Sequence, residues 1–349
     1  MWIHVRTVAL EILRTSLPTA EQNDLDHIIL STGYPWARRS NELTSDLLAV
    51  YAANLRNGGG PGPNYEAFSR MIKAATAEFL INNQLVQPLQ IAPLAEACVA
   101  YLDLDESLPL AVNGTVDYAA ELVSIAHIEP IRPRALIKDL LRSVVCFSEV
   151  LVQQFNGNAG MFHAAFNRVH QPATPAGFVL EQFQNISEIP KIGVALAMNF
   201  FKDSQVPALD EMPLQNLYTN QIGWFCKPDI HVLRFMLKAT GRAAVANIAD
   251  GDLINMKESK VRRLYKDTLP TKPWAIGPYT LAIHRHTSEM AQWHCIEDVQ
   301  RLARQESIPP LEIDRVLFMI GSGRFQSDGR IGPPQAERYQ LLFNTLIDL

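Results

Sequence analysis

The sequence contains no run of apolar residues approaching the ~18 that a membrane span requires, so no spanning helix is expected. Cysteine is scarce. Cys98, Cys146, Cys226 and Cys295 stand far apart, with no Cys-x-x-Cys pair among them. That spacing argues against an iron–sulfur cluster or zinc ribbon, and it reads as reduced thiols in an intracellular, cytoplasmic protein. The opening Met1-Trp2-Ile3-His4-Val5-Arg6 lacks a basic stretch followed by an apolar block, so no secretory signal is read there. Runs of alternating β-branched residues are almost absent, which argues against a sheet-based fold. Positive charge is not in excess either: 31 Lys and Arg face 36 Asp and Glu, a net charge of −5. A surface that tracks phosphates would therefore have to be a local patch.

What is present is helical patterning over 349 residues, enough for one large domain or two modest ones. Leu47–Leu55, Tyr65–Phe79, Arg134–Phe155 and Val232–Thr240 repeat apolar residues at i, i+3, i+4 spacing. Asn57-Gly58-Gly59-Gly60-Pro61-Gly62-Pro63 reads as a surface loop between two helices. It follows no strand and precedes no Gly-Lys-Ser/Thr, so it lacks the context of a phosphate-cradling loop. Lys257, Lys260, Arg262, Arg263, Lys266 and Lys272 make one basic stretch, interrupted only by Glu258 and Asp267. It is readable as a phosphate-facing patch or as a solvated helix end.

A more specific pattern begins at Thr174-Pro175, an N-cap followed by proline at the first helical position. A helix can run through Phe178, Leu180, Phe183 and Ile186, and it must stop near Ile189-Pro190, since proline disfavours helical geometry in its predecessor. Gly193 then opens a second helix over Val194–Phe201. Two helices joined by so tight a turn form a helical hairpin. Amide N–H groups at the start of the second helix would point outward together and could hold one phosphate, with a monovalent cation bridging.

Ile189-Pro190-Lys191-Ile192-Gly193-Val194-Ala195-Leu196-Ala197 resembles the hairpin of the endonuclease III and 8-oxoguanine DNA glycosylase superfamily, Leu-Pro-Gly-x-Gly-x-x-x-Ala. Pro190, Gly193 and Ala197 match, while Lys191 replaces the first glycine. Lys227-Pro228-Asp229-Ile230-His231-Val232-Leu233-Arg234 resembles that family's Asp-x-His catalytic segment. Leu151-Val152-Gln153-Gln154 is similar to the helix end facing the flipped-out nucleotide. Ile313–Gly321 is similar to the C-terminal helix of the archaeal 8-oxoguanine branch. The resemblance covers roughly residues 148–325. It implies an all-α fold of two helical subdomains, with a helix-hairpin-helix motif and a cleft between them. On this reading residues 1–147 form a helical region without resemblance, and residues 148–349 form the glycosylase-like domain.

The resemblance implies removal of a damaged or modified base flipped out of double-stranded DNA, in repair or in defence against modified foreign DNA. It makes Asp229 the catalytic carboxylate, and Lys191, Ile192, Gly193 and His231 DNA contacts. Breaking a base–sugar bond builds oxocarbenium character on the deoxyribose, which a carboxylate beside C1′ stabilises while orienting water. Asp229 precedes a helix over Ile230–Thr240 closed by Gly241, and the helix dipole favours a negative charge there. The same position is also the ordinary place for a simple N-cap, and both roles can hold at once.

Gln154, Asn156 and Asn158 end an apolar helix near Gly157 and Gly160. Their amides suit the partner base left unpaired by flipping, or else a plain polar helix end. The stretch between Gly193 and Asp229 is longer than in most relatives. Tyr218, Trp224 and Phe225 within it read as a base-stacking pocket or as core packing. Bifunctional relatives carry a lysine nucleophile two residues after the second hairpin glycine, where this sequence has Ala195. Without that amine, hydrolysis leaving an abasic site is expected, with Lys191 the nearest possible substitute. His284-Arg285-His286 with His294 and Cys295 lacks a carboxylate companion, so no metal is expected, and no obligate protein partner is inferred.

Two other classes fit parts of the pattern. One is a small-molecule N-glycosidase similar to the queuosine-nucleotide salvage enzymes, favoured by the acidic net charge and by Met198–Pro207. The other is a non-catalytic helical protein that uses the hairpin only to clamp DNA.

Overall fold

The computed structural model describes residues 1–16, 43–57, 63–104, 132–169, 195–196, 198–200, 226–269, 287–308, 310–323 and 334–346. These residues are 78% helical, which makes the fold predominantly α. The elements are α1 (Trp2–Ser16), α2 (Thr44–Asn57), α3 (Pro63–Ala77), β1 (Leu80–Ile81), β2 (Gln84–Leu85), α4 (Ile91–Leu104), α5 (Arg132–Phe155) and α6 (Ala159–Val169). After them come α7 (Ile230–Ala239), α8 (Arg242–Val245), α9 (Asp250–Asn255), α10 (Glu258–Asp267), α11 (Thr287–Glu306), α12 (Pro310–Ser322) and α13 (Gln335–Asn344). Ala195, Leu196 and Met198–Phe200 are also helical, where the sequence puts the second helix of its hairpin. The turn at 189–193 lies outside the described residues.

The chain packs into two compact units. One holds α1 and α7–α13; the other holds α2–α6, the two strands and the helical residues at 195–200. The position 147/148, at which the sequence suggests a division, falls inside α5.

In the α2–α6 unit, α2 packs on α3 and α5, α4 on α3 and α5, and α6 on α5. An aromatic cluster fills its core. Tyr51 stacks on Phe147 at 4.1 Å, and Phe200 stands edge-on to both at 5.2 Å. Such pairs add about 0.5–1.5 kcal/mol beyond the area they bury. The Tyr51 hydroxyl is satisfied by Ser143 Oγ at 2.8 Å, and burial pushes its pKa far up, so it stays protonated. Asn54 and Asn199 pair their amides in the same interior.

Strands β1 and β2 form a minimal hairpin, with Leu80 opposite Leu85 and Ile81 opposite Gln84. Its turn residues Asn82 and Asn83 take φ of 50° and 60°, the left-handed pair that two-residue hairpins need and that asparagine tolerates. The hairpin backs onto the loop after α5. Leu85 N donates to Gly157 O at 2.7 Å, and Gly157 itself sits at φ 65°. A Cβ there would lie 1.8 Å from Leu85 O, so the backbones meet only because residue 157 is glycine. The Thr44 hydroxyl lies between the carbonyls of Asn83 and Gly157 and accepts from Ala159 N.

In the α1/α7–α13 unit, α7 is the central element. It packs on α8, α10, α11 and α12, and Val232 through Leu237 are all buried. Its apolar residues enter the core, while His231, Arg234 and Lys238 recur at i, i+3, i+7 along one stripe. Helix α1 joins through Trp2, whose indole Nε1 donates to Glu312 Oε1 at 2.8 Å and whose ring meets Phe235 edge-on at 6.2 Å. Arg6 Nε lies 3.4 Å from the same buried carboxylate. Asp298 is 3% exposed and is held by Arg242 at 2.8 Å, by Arg301 and by the Tyr265 hydroxyl. A buried carboxylate needs such partners, since its desolvation costs several kcal/mol.

Candidate active site

Helix α7 starts where it does because of Asp229. Its backbone is extended (φ −79°, ψ −178°), and its Oδ1 accepts from His231 N at 2.8 Å and Val232 N at 3.1 Å. Two of the four amides that a helix leaves unpaired are thereby satisfied. Oδ2 accepts no hydrogen bond among the described residues, and the side chain is half-buried. The helix ends at Thr240, followed by Gly241 at φ 70°.

The segment entering the helix is fixed from below by a second carboxylate. Asp314, on α12 and 2% exposed, accepts from Lys227 N at 2.8 Å and from the Cys226 thiol at 3.7 Å. The Lys227 carbonyl in turn accepts from Asp229 N at 2.8 Å. Asp314 therefore holds the peptide that positions the Asp229 backbone.

His231, two residues into the helix, is half-buried between Phe318 and Tyr339. Its Nδ1 lies 2.7 Å from the Tyr339 hydroxyl. On the α12 side it rests against Gly321, where a Cβ would come within 2.1 Å of Nδ1. Gly321 is held there by α13: its carbonyl accepts from Gln335 Nε2 at 2.7 Å and from Arg338 Nη2 at 3.2 Å. Arg234, one turn on, lies over the Tyr339 ring at 5.4 Å and donates to Met256 O at 2.7 Å. Burial lowers the His231 pKa below the ordinary range. The Asp229 charge opposes that shift, while Arg234, Lys227 and Arg338 reinforce it. Burial also raises the Tyr339 pKa, so its hydroxyl keeps its hydrogen.

The remaining sequence-selected residues fall into two groups. Gln154, Asn156 and Asn158 belong to the α2–α6 unit. Gln154 is exposed on the last turn of α5, and Asn156 is exposed at φ 49°, its carbonyl accepting from the Gln84 side chain. Asn158 caps α6, its Oδ1 accepting from Met161 N at 3.1 Å. Lys191, Ile192, Gly193, Tyr218, Trp224 and Phe225 lie outside the described residues, as do His284 and His286.

In the basic stretch, Arg262 pairs with Glu258 and Arg263 with Asp267, both at i,i+4. Lys257, Lys260 and Lys266 make no ion pair among the described residues. No group of three or more His, Cys, Asp or Glu suited to a metal occurs among the described residues. All four cysteines are free thiols, and no described helix is long and apolar enough to cross a membrane.

Sequence reasoning did not single out Arg234, Asp314, Gly321 or Tyr339 as members of this cluster. Arg234, Asp314 and Gly321 stand in segments noted for resemblance, but Tyr339 lies 108 positions from its partner His231 and carries no local signal. Comparison with protein-family models, with curated proteins and with solved structures finds no match.

Chemically, the arrangement presents a carboxylate with one oxygen fixed by backbone amides and the other without a hydrogen bond among the described residues. An imidazole is held nearby on the same helix turn. Such a carboxylate can stabilise a neighbouring positive charge or take a proton from water.

Proposed function

We propose that the chain is a monofunctional DNA N-glycosylase, hydrolysing the bond between deoxyribose and a damaged or modified base flipped out of duplex DNA. The observation that carries this reading is the Asp229 carboxylate, anchored through Oδ1 at the start of a buried helix, with no hydrogen bond to Oδ2 among the described residues. An oxocarbenium-like transition state needs a negative charge that does not have to reorganise as the reaction proceeds, and a carboxylate fixed by two amides meets that need. On this reading Oδ2 faces the sugar or the attacking water, and water rather than a lysine is the nucleophile, consistent with Ala195 at the position where lyases carry an amine. Duplex DNA is the partner. The hairpin at 189–197, with Lys191, Ile192 and Gly193, takes a backbone phosphate, with or without a monovalent cation. Gln154, Asn156 and Asn158 face the partner base, and Tyr218, Trp224 and Phe225 stack on the extruded one. Intracellular DNA repair, or defence against modified foreign DNA, is the corresponding role.

The test is incubation of the protein with duplexes carrying oxidised purines, alkylated purines or hypermodified pyrimidines, including heavily modified viral DNA. Breaks appearing only after alkali are expected on one class. Breaks without alkali, abolished by Lys191→Ala, would instead make the enzyme a lyase. The net charge of −5 favours a second reading, an N-glycosidase acting on a free nucleotide. Base release from nucleotides, with no breaks on any DNA, would select it.

A further inference from the structure

Among the described residues, the His231 imidazole is held at one nitrogen only. Nδ1 lies 2.7 Å from the Tyr339 hydroxyl, whereas Nε2 makes no hydrogen bond among the described residues. Two cations, Arg234 and Arg338, lie near the phenol, and neither can accept a hydrogen. Among the described residues, Nδ1 is the acceptor available to the Tyr339 hydrogen. A protonated imidazole would put a second hydrogen into the same 2.7 Å contact and leave the phenol O–H without an acceptor among the described residues. The ring packs against Phe318 at 6.0 Å and Tyr339 at 6.2 Å, and a methyl group on Gly321 would come within 2.1 Å of Nδ1.

We propose that Tyr339 is a positioning residue that holds His231 as the tautomer with its hydrogen on Nε2, a fixed uncharged donor to an oxygen of the bound substrate. This rests on the N-glycosylase reading of the same site. The physical advantage is specific to that chemistry. A histidinium two residues from Asp229 would oppose the positive charge forming on the sugar, whereas a neutral N–H donor orients the substrate without adding charge.

Long-range proton–nitrogen NMR on the full-length protein, with histidine nitrogens labelled, tests the assignment without any DNA. The result expected is the Nε2–H pattern for His231 at neutral pH, lost or mixed with the other tautomer in Tyr339→Phe. Nδ1–H or imidazolium in the wild type would overturn it, whether or not the variant folds. An unchanged pattern in a folded Tyr339→Phe would overturn it as well. In kinetics, Tyr339→Phe is expected to lower kcat about tenfold with KM unchanged, and to have no further effect in a His231→Gln background. Equal losses in both backgrounds would mean that Tyr339 acts only on packing, against the proposal. If no DNA or nucleotide is cleaved while the Nε2–H pattern and its dependence on Tyr339 are present, the glycosylase reading fails and the tautomer assignment stands.

Discussion

The loop after α5 and the start of α7 are both places where polar side chains meet the first turn of a helix, and they use those side chains differently. Around Gly157 the polar groups are spent on backbone. The Asn158 oxygen caps α6, the Thr44 hydroxyl bridges Asn83 and Gly157, and Gln84 reaches the carbonyl of Asn156. At α7 each polar group has one end engaged and, among the described residues, the other without a hydrogen bond: Asp229 is held through Oδ1 and His231 through Nδ1. The first pattern builds a rigid corner. The second is what a reactive site requires, groups immobilised without being used up.

The largest effect on that contrast is expected at the corner. Gly157→Ala would place a Cβ 1.8 Å from Leu85 O in a left-handed conformation. It should destabilise the protein by roughly 2–5 kcal/mol in denaturant unfolding. An effect below about 1 kcal/mol would mean the corner is not rigid.

Asp314→Ala comes next. It removes the carboxylate to which Lys227 N and the Cys226 thiol donate, at a cost of about 1–3 kcal/mol. Unlike the change at Gly157, it should also lower activity, because the peptide it releases carries Asp229. Stability lost without any change in activity would separate Asp314 from the site.

Asn158→Ala removes only a cap and should cost about 1 kcal/mol in the same measurement. Asn156→Ala loses only a weak contact to Met161 Sδ but places alanine at φ 49°, so it should cost about as much.

The smallest effect is on pH dependence. The folded-state pKa of His231 lies below its ordinary value of 6.5, so the unfolded chain binds the proton more readily. Its contribution to stability is complete above that value and is lost as pH falls through 6.5 toward the folded-state pKa. His231→Gln should therefore flatten the acid side of the wild-type curve. An unchanged slope would show that the imidazole is not buried as described.

The helices around both regions were legible in the sequence where periodicity and end signals coincide. α5 and α7 follow from apolar spacing, and Asp229 and Gly241 mark the two ends of α7 with residues suited to a cap and a left-handed stop. The β1–β2 hairpin was not legible. Two-residue strands are too short to show alternation, and Asn82-Asn83 is a less usual turn than Asn-Gly. Nor was the surround of Asp229. Asp314 and Gly321 sit in a helix whose pattern marks only an apolar face. The partnerships of His231 with Tyr339 and of Trp2 with Glu312 depend on packing between elements remote in sequence. The pairing of α1 with the C-terminal helices has the same origin, since nothing local in Trp2–Ser16 names its partner.

The most direct test of the account is Asp229→Asn, because asparagine caps a helix about as well as aspartate but carries no charge. Alkali-dependent breaks on the preferred duplex and the melting temperature should be measured on the same samples. The account predicts that breaks fall by on the order of 10²–10⁴-fold, while the melting temperature shifts by no more than about 2 °C. Unchanged cleavage with an unchanged melting temperature would reduce Asp229 to a helix cap and remove the catalytic reading.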